Sequence, residues 1–151
     1  MSSALRTGPA VARHTAAMNS TRVVGVAGAA LVAASLIGGA VSVAAGVNSW
    51  STAWTAQATL AAPWQVLLVQ TAATIGAVNG RRSVATAGSA VLGSTAALAG
   101  ISGFFDGQLG RSDLGPGFVG AQAGYVVIAW VTVTLSGYWL WALQVPATST
   151  N

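Results

Sequence analysis

Six Arg, two Asp and one His are the only charged or imidazole side chains in this chain of 151 residues, and there is no Cys, Lys or Glu. Their tightest grouping is Asp106, Arg111 and Asp113, within the stretch SGFFDGQLGRSDLGPG at 102–117. Arg111 could grip a carboxylate or phosphate with two parallel hydrogen bonds, which would make this a recognition or partner site. The plainer reading is a solvated loop. There Asp113 caps a helix starting near Pro116, and Arg111 pairs locally for little net gain. Two Asp without a third reactive group give weak support for catalysis, so an enzyme is not expected.

The same inventory excludes other chemistries. Zinc takes three or four His, Cys or carboxylate ligands, and the chain offers only His14, Asp106 and Asp113, with His14 expected on the opposite side of the membrane from the two Asp. A membrane haem needs His or Met inside a span, whereas His14, Met1 and Met18 all precede the first apolar run. A small proton-coupled exporter would want an intramembrane carboxylate, and the apolar runs hold none. No metal or cofactor is expected.

What the apolar runs do hold is amides and hydroxyls: Gln65, Gln70, Thr71 and Thr74 in one, Thr132, Thr134 and Ser136 in another. Gln70 lies deepest. Such groups form interhelical hydrogen bonds of roughly 0.6–2 kcal/mol, or line a path for a small solute.

The elements that must position these residues follow from the spacing of the charges. Residues 23–80 carry none. A soluble domain is about 25% charged; this chain is 5% charged and 54% hydrophobic, with mean hydropathy +0.67. That composition excludes a water-soluble fold and, for most of the chain, disorder. The expected fold is all-α: an integral membrane bundle of four transmembrane helices with antiparallel neighbours. The spans are expected at about 23–47, 61–79, 83–105 and 118–144, since each crossing needs about 20 residues. Pro63 and Pro116 suit first helical turns, and Asn79-Gly80 reads as a stop.

Residues 1–22 read as a basic, disordered cytoplasmic tail, and 146–151 as a short C-terminal one. Met18 is an alternative start. A basic, acid-free tail also fits an organellar transit peptide, which would move the protein to an organellar membrane. The apolar stretch from Val23 to Val47 is too long for the core of a secretory signal, which is about 7–15 residues.

Orientation follows from Arg in short flanks. Arg22, with Arg6 and Arg13, and the pair Arg81 and Arg82 would share one side, against Arg111 alone on the other. Both termini are therefore expected in the cytoplasm, with the chain in the cytoplasmic (inner) membrane. Trp50, Trp54, Trp64, Phe104, Phe105 and Phe118 would mark the outer interface, and Tyr138, Trp139 and Trp141 the inner one. Trp130 would pack in the bundle.

Small residues at four-residue spacing let helix backbones approach. One stripe is Ala34, Gly38, Ser42 and Gly46; another is Ala85, Ser89, Gly93 and Ala97. Gly76/Gly80, Gly103/Gly107 and Gly120/Gly124 are further pairs. Ala and Gly supply about a third of the chain, and Arg without Lys beside them fits a high-GC bacterium. The net charge of +4 does not mark a nucleic-acid binder, because the Arg residues are scattered and flank apolar runs.

These features point to a non-enzymatic membrane protein working through helix packing, as an accessory or assembly subunit with a membrane-protein partner or a second copy. The alternative is a small pore, permease or holin-like protein. A membrane enzyme using the outer loop ranks below both.

Overall fold

A computed structural model describes the backbone of residues 9–105 and 113–144, and side chains from Ser20 onward. Every regular element among them is an α-helix: α1 (Pro9–Ala44), α2 (Trp64–Ala77), α3 (Arg82–Phe105) and α4 (Pro116–Gln144). α1 and α3 each pack against α2 and α4 and meet one another only marginally across the diagonal. The helices thus form a ring in chain order. Neighbours run antiparallel: Gly25 lies by Val78 and Gly28 by Thr74, while Gly93 lies by Ser136 and Gly103 by Val126.

Three of the four helices are long and apolar enough to cross a membrane: α1 over Ser20–Ala44, α3, and α4. The fourth, α2 (Trp64–Ala77), corrects the bounds expected for the helix at 61–79. α2 has 14 residues, about 21 Å at 1.5 Å per residue, against a hydrocarbon core of about 30 Å. Its bounds have local causes. Pro63 sits at the N-cap with φ −53° and ψ 148°, outside helical geometry. At the other end Asn79 Oδ1 accepts a hydrogen bond from the Arg81 N–H at 2.9 Å, closing a turn into α3. A second correction concerns the tail expected to be disordered over 1–22, which is helical from Pro9 onward.

Polarity is inverted relative to a water-soluble bundle. Ser35, Ser42, Gln70, Ser89, Gln122, Thr132 and Ser136 are buried, while Val26, Ile37, Leu68, Ile75, Leu98 and Val127 are exposed. The interior is filled by Leu31, Leu92, Ala96 and Ala129, all fully buried. Small side chains allow helix backbones to come close. The closest approach is between α2 and α3, where a Cβ on Gly76 would lie 3.3 Å from Gly88 Cα.

The stripes read from sequence behave unevenly. Ala85 and Ser89 are buried and Gly93 abuts Ser136, so the α3 stripe is a packing face. In α1, Gly38 and Ser42 are buried, but Gly46 lies beyond the helix, turning the chain at φ +71°. Burial divides the aromatic residues. Phe118 and Trp139 are buried and Trp54 is half-buried, whereas Trp50, Trp64, Phe104, Phe105, Tyr138 and Trp141 are exposed. Trp130 does both: it is partly exposed, yet its indole covers Gly100.

The segment between α1 and α2 does not stay outside as a surface loop. After Gly46 it folds back beside α1 and buries Ala53, Leu60 and Ala62. Asn48 braces it: its Oδ1 accepts from the Thr59 N–H and hydroxyl, and its Nδ2 donates to the Gln57 carbonyl. The Ala62 N–H donates to Ser35 Oγ at 2.7 Å. Gly38 and Gly39 make room for the Leu60 carbonyl and the Trp54 indole. Ser35 lies nine residues before the end of α1, so the segment reaches about 14 Å along the helix from that end.

Gly88→Ala should lower the unfolding free energy in detergent by about 1–3 kcal/mol. Its Cβ would meet backbone, 2.5 Å from Gly76 C and 2.7 Å from Ala73 O, where nothing can rotate away. Gly124→Ala, with nothing within 4 Å of its Cβ, should leave stability unchanged within about 0.5 kcal/mol. Equal destabilisation by both would refute the α2–α3 contact.

Candidate functional site

The residues singled out from sequence separate into three places. Arg22, Arg81 and Arg82 are exposed at one end of the bundle. Gly25 against Val78 brings the start of the apolar part of α1 to the end of α2. An Arg82 guanidinium N–H donates to the Leu143 carbonyl, tying the start of α3 to the last turn of α4. The last carbonyls of a helix lack intrahelical partners and carry partial negative charge, so a cation there is favourable. Arg82 therefore has a packing role in addition to its expected part in orientation.

Of the outer cluster, Asp106 and Arg111 lie outside the described residues. Asp113 is an exposed turn residue ahead of α4. At that helix start the Gly115 carbonyl accepts from the N–H groups of Phe118 and Val119. Among the described residues no charged side chain is buried, and no group of three metal-ligating residues occurs.

The two amides of α2 part company. Gln65 is exposed on the first turn of α2. Gln70 is fully buried, and among the described residues neither Oε1 nor Nε2 has a hydrogen-bond partner. The hydroxyls behave differently. Thr71 and Thr74 donate to the carbonyls four residues earlier, a common arrangement for hydroxyls in helices. Thr132 donates to Ile128 O at 2.8 Å and faces Ala27 O on α1 at 3.3 Å. Ser89 Oγ, Ser136 Oγ and Trp139 Nε1 are buried without partners among the described residues.

Gln122 was not among the sequence candidates. It is 1% exposed, its Nε2 donates to Gly103 O at 3.2 Å, and its Oε1 is buried with no partner among the described residues. A sequence signal existed. Gln122, Tyr125, Ala129, Thr132, Ser136 and Trp139 are all buried, at alternating spacings of three and four. Extending that stripe backward from Thr132 and Ser136 reaches Gln122.

Gln122 borders a partly open cavity of about 290 Å³. Its walls are the 55–63 segment, α2 at Val66, α3 at Thr95, Ala99 and Ser102, and α4 at Gln122 and Tyr125. It occupies the ground that further N-terminal turns of α2 would have filled. Among the described residues no charged residue lines it; its polar lining is the hydroxyls of Thr55, Thr59, Thr95, Ser102 and Tyr125 and the Gln122 amide, and the rest is mostly apolar.

Compared with known protein families, curated proteins and solved structures, the chain finds no match.

Gln70 provides a test of the interior. A buried amide without partners loses its hydration for nothing, at a cost of about 1–3 kcal/mol. Gln70→Leu should therefore raise stability in detergent unfolding by about 1 kcal/mol. A loss of stability instead would reveal a partner for the amide.

Proposed function

We propose that the chain is a non-enzymatic, multi-pass membrane protein that works through helix packing, as an accessory or assembly subunit. The observation that carries this reading is the outer face of α4. Gly120, Gly124, Val127, Val131, Thr134, Tyr138 and Trp141 recur at alternating spacings of four and three, and all are exposed. That is the seam spacing of paired helices. A Cβ added at Gly120 or Gly124 would meet nothing within 4 Å. Shallow apolar grooves border this face on both sides, one against α3 and one against α1. Exposed valines suit lipid, but adjacent exposed glycines offer lipid little apolar surface. They suit the close approach of another helix, from a membrane-protein partner or a second copy.

The inverted polarity and the three long apolar helices support the membrane as the solvent. For α2 to serve as the fourth crossing, the 55–63 segment must complete its path. Irregular backbone is tolerated at membrane depth where it is buried in protein or lines a cavity, and the 55–63 segment does both. The grouping of Arg22, Arg81 and Arg82 at one end supports placing that end, with both termini, in the cytoplasm. The cytoplasmic membrane is the corresponding location.

A second reading, a small pore or permease, draws on the orphaned polar atoms of Gln70, Ser89 and Ser136 inside the ring. Reconstituted liposomes that stay tight to ions and small solutes would exclude it.

The packing reading is tested by purification from native membranes. A co-purifying membrane protein or a homo-oligomer is expected, and Gly124→Leu should dissociate it while leaving the subunit folded. A wild-type chain that purifies alone and monomeric overturns the reading. The orientation is tested separately with a C-terminal reporter active only in the cytoplasm, expected to be active. An inactive fusion, with the same reporter active when inserted in the 45–63 segment, reverses the orientation.

A further inference from the structure

We propose that the groove between α1 and α4 holds an acyl chain of an anionic phospholipid whose phosphate sits on Arg22. The inference rests on the membrane location proposed above, and it stands whether or not α4 meets a partner.

Four observations carry it. First, the groove has apolar walls. Over about 410 Å³ it is lined by Val23, Val26 and Ala30 of α1 and by Val127, Val131 and Leu135 of α4. Thr132 also reaches it, but that hydroxyl donates to Ile128 O and faces Ala27 O. An apolar chain laid there strands no polar group. Second, a cation stands at one end. Arg22 lines the groove and is exposed. Asp113, the one carboxylate side chain among the described residues, precedes α4 and so lies at the far end of the bundle. No described carboxylate therefore neutralises Arg22, while Arg81 and Arg82 add positive charge at the same end. A guanidinium grips a phosphate with two parallel hydrogen bonds.

Third, the groove has the length of one leaflet. From Arg22 to Ala30 a helix rises about 12 Å, and half of the hydrocarbon core is about 15 Å. A headgroup at Arg22 thus sends its chain toward the bilayer centre. Fourth, aromatic side chains mark the same headgroup level. Tyr138 and Trp141 follow Leu135 by one and two turns; both are exposed, with ring centroids 5.9 Å apart. Such rings settle at the membrane–water interface. Charge then selects the lipid. A zwitterionic headgroup carries its own cation beside the phosphate, whereas an anionic headgroup leaves its charge for Arg22.

The full chain is first tested for flotation with vesicles. It is then purified in detergent and offered equal amounts of phosphatidylglycerol and phosphatidylcholine, and bound lipid is counted by native mass spectrometry. Glycerol phosphate supplies the anion without chains, and diacylglycerol the chains without the anion. The wild-type protein should retain phosphatidylglycerol about fivefold over phosphatidylcholine, the weight of one Arg near an anionic surface. Glycerol phosphate should not bind measurably, and diacylglycerol should be retained less than phosphatidylglycerol. Arg22→Gln should abolish the preference and Arg22→Lys should keep it. Arg81→Gln, outside the groove, should keep it too. Ala30→Phe, which places a ring in the groove, should lower retention of both phospholipids. Helicity and monodispersity are checked for each variant.

A measurement that needs no variant uses the wild-type chain in nanodiscs with phosphatidylglycerol bearing a photoreactive group in its acyl chain. Adducts mapped by peptide should concentrate in 23–30 and 127–135, and unlabelled phosphatidylglycerol should compete better than phosphatidylcholine. Adducts spread evenly over the exposed helix faces overturn the proposal. So does an equal loss of preference in Arg22→Gln and Arg81→Gln, or glycerol phosphate binding as tightly as the lipid. A chain that does not float with vesicles overturns the membrane location and this proposal together. A chain that floats but retains both phospholipids equally overturns this proposal alone.

Discussion

Ser35 Oγ accepts a hydrogen bond from the Ala62 N–H at 2.7 Å, deep against α1, and the end of the bundle that carries the α1–α2 connection is arranged around that bond. A backbone N–H taken from water outside a helix or sheet must find a partner, and the cost of failing is comparable to a lost hydrogen bond. Ser35 supplies the partner, so the 45–63 segment can leave helical geometry and still lie against the bundle. Gly38 and Gly39 complete the arrangement by leaving space for the Leu60 carbonyl and the Trp54 indole. Because the segment is held there, α2 starts at Trp64 instead of further out. The space it does not fill becomes the cavity beside Gln122. A connection, a short helix and a cavity thus share one cause.

The opposite end is held differently. At Gly76 and Gly88 the backbones of α2 and α3 touch, so dispersion between main-chain atoms replaces interdigitated large side chains. Arg82 ties the start of α3 to the carbonyl of Leu143 on α4. Between the two ends, Leu31, Leu92, Ala96 and Ala129 close the ring. Among the described residues the buried side-chain polar atoms left without partners are on Trp54, Gln70, Ser89, Gln122, Ser136 and Trp139, and of these residues Gln122 also lines the cavity.

How much was legible depended on how each residue's signal is stored. α3 and α4 were readable to within a residue or two, because Arg82, Phe105 and Pro116 punctuate long apolar runs. α2 was not. Residues 61–79 carry no charge, and nothing in their composition reveals that the first three are spent on the connection. Gln65 and Gln70 look alike in sequence, five residues apart; the helix turns one outward and the other inward. Trp139 and Trp141 look like one belt, yet Trp139 is buried and Trp141 is exposed. Gln122 was missed because an uncharged amide near the start of a span resembles a solvated end. Only its place in a buried stripe distinguishes it.

The sequence by itself determined the class of molecule: charge placement and hydropathy act one residue at a time, so they survive without knowledge of contacts. They specify helices, an apolar surroundings for them, and a chain whose interior carries no charge. The tertiary structure decided which small residues touch, which amides lose their partners, and where space remains. Those properties belong to pairs of residues far apart in the chain, such as Ser35 with Ala62 and Gly76 with Gly88. Spacing along a single helix does not encode them, because each depends on how far its neighbour extends.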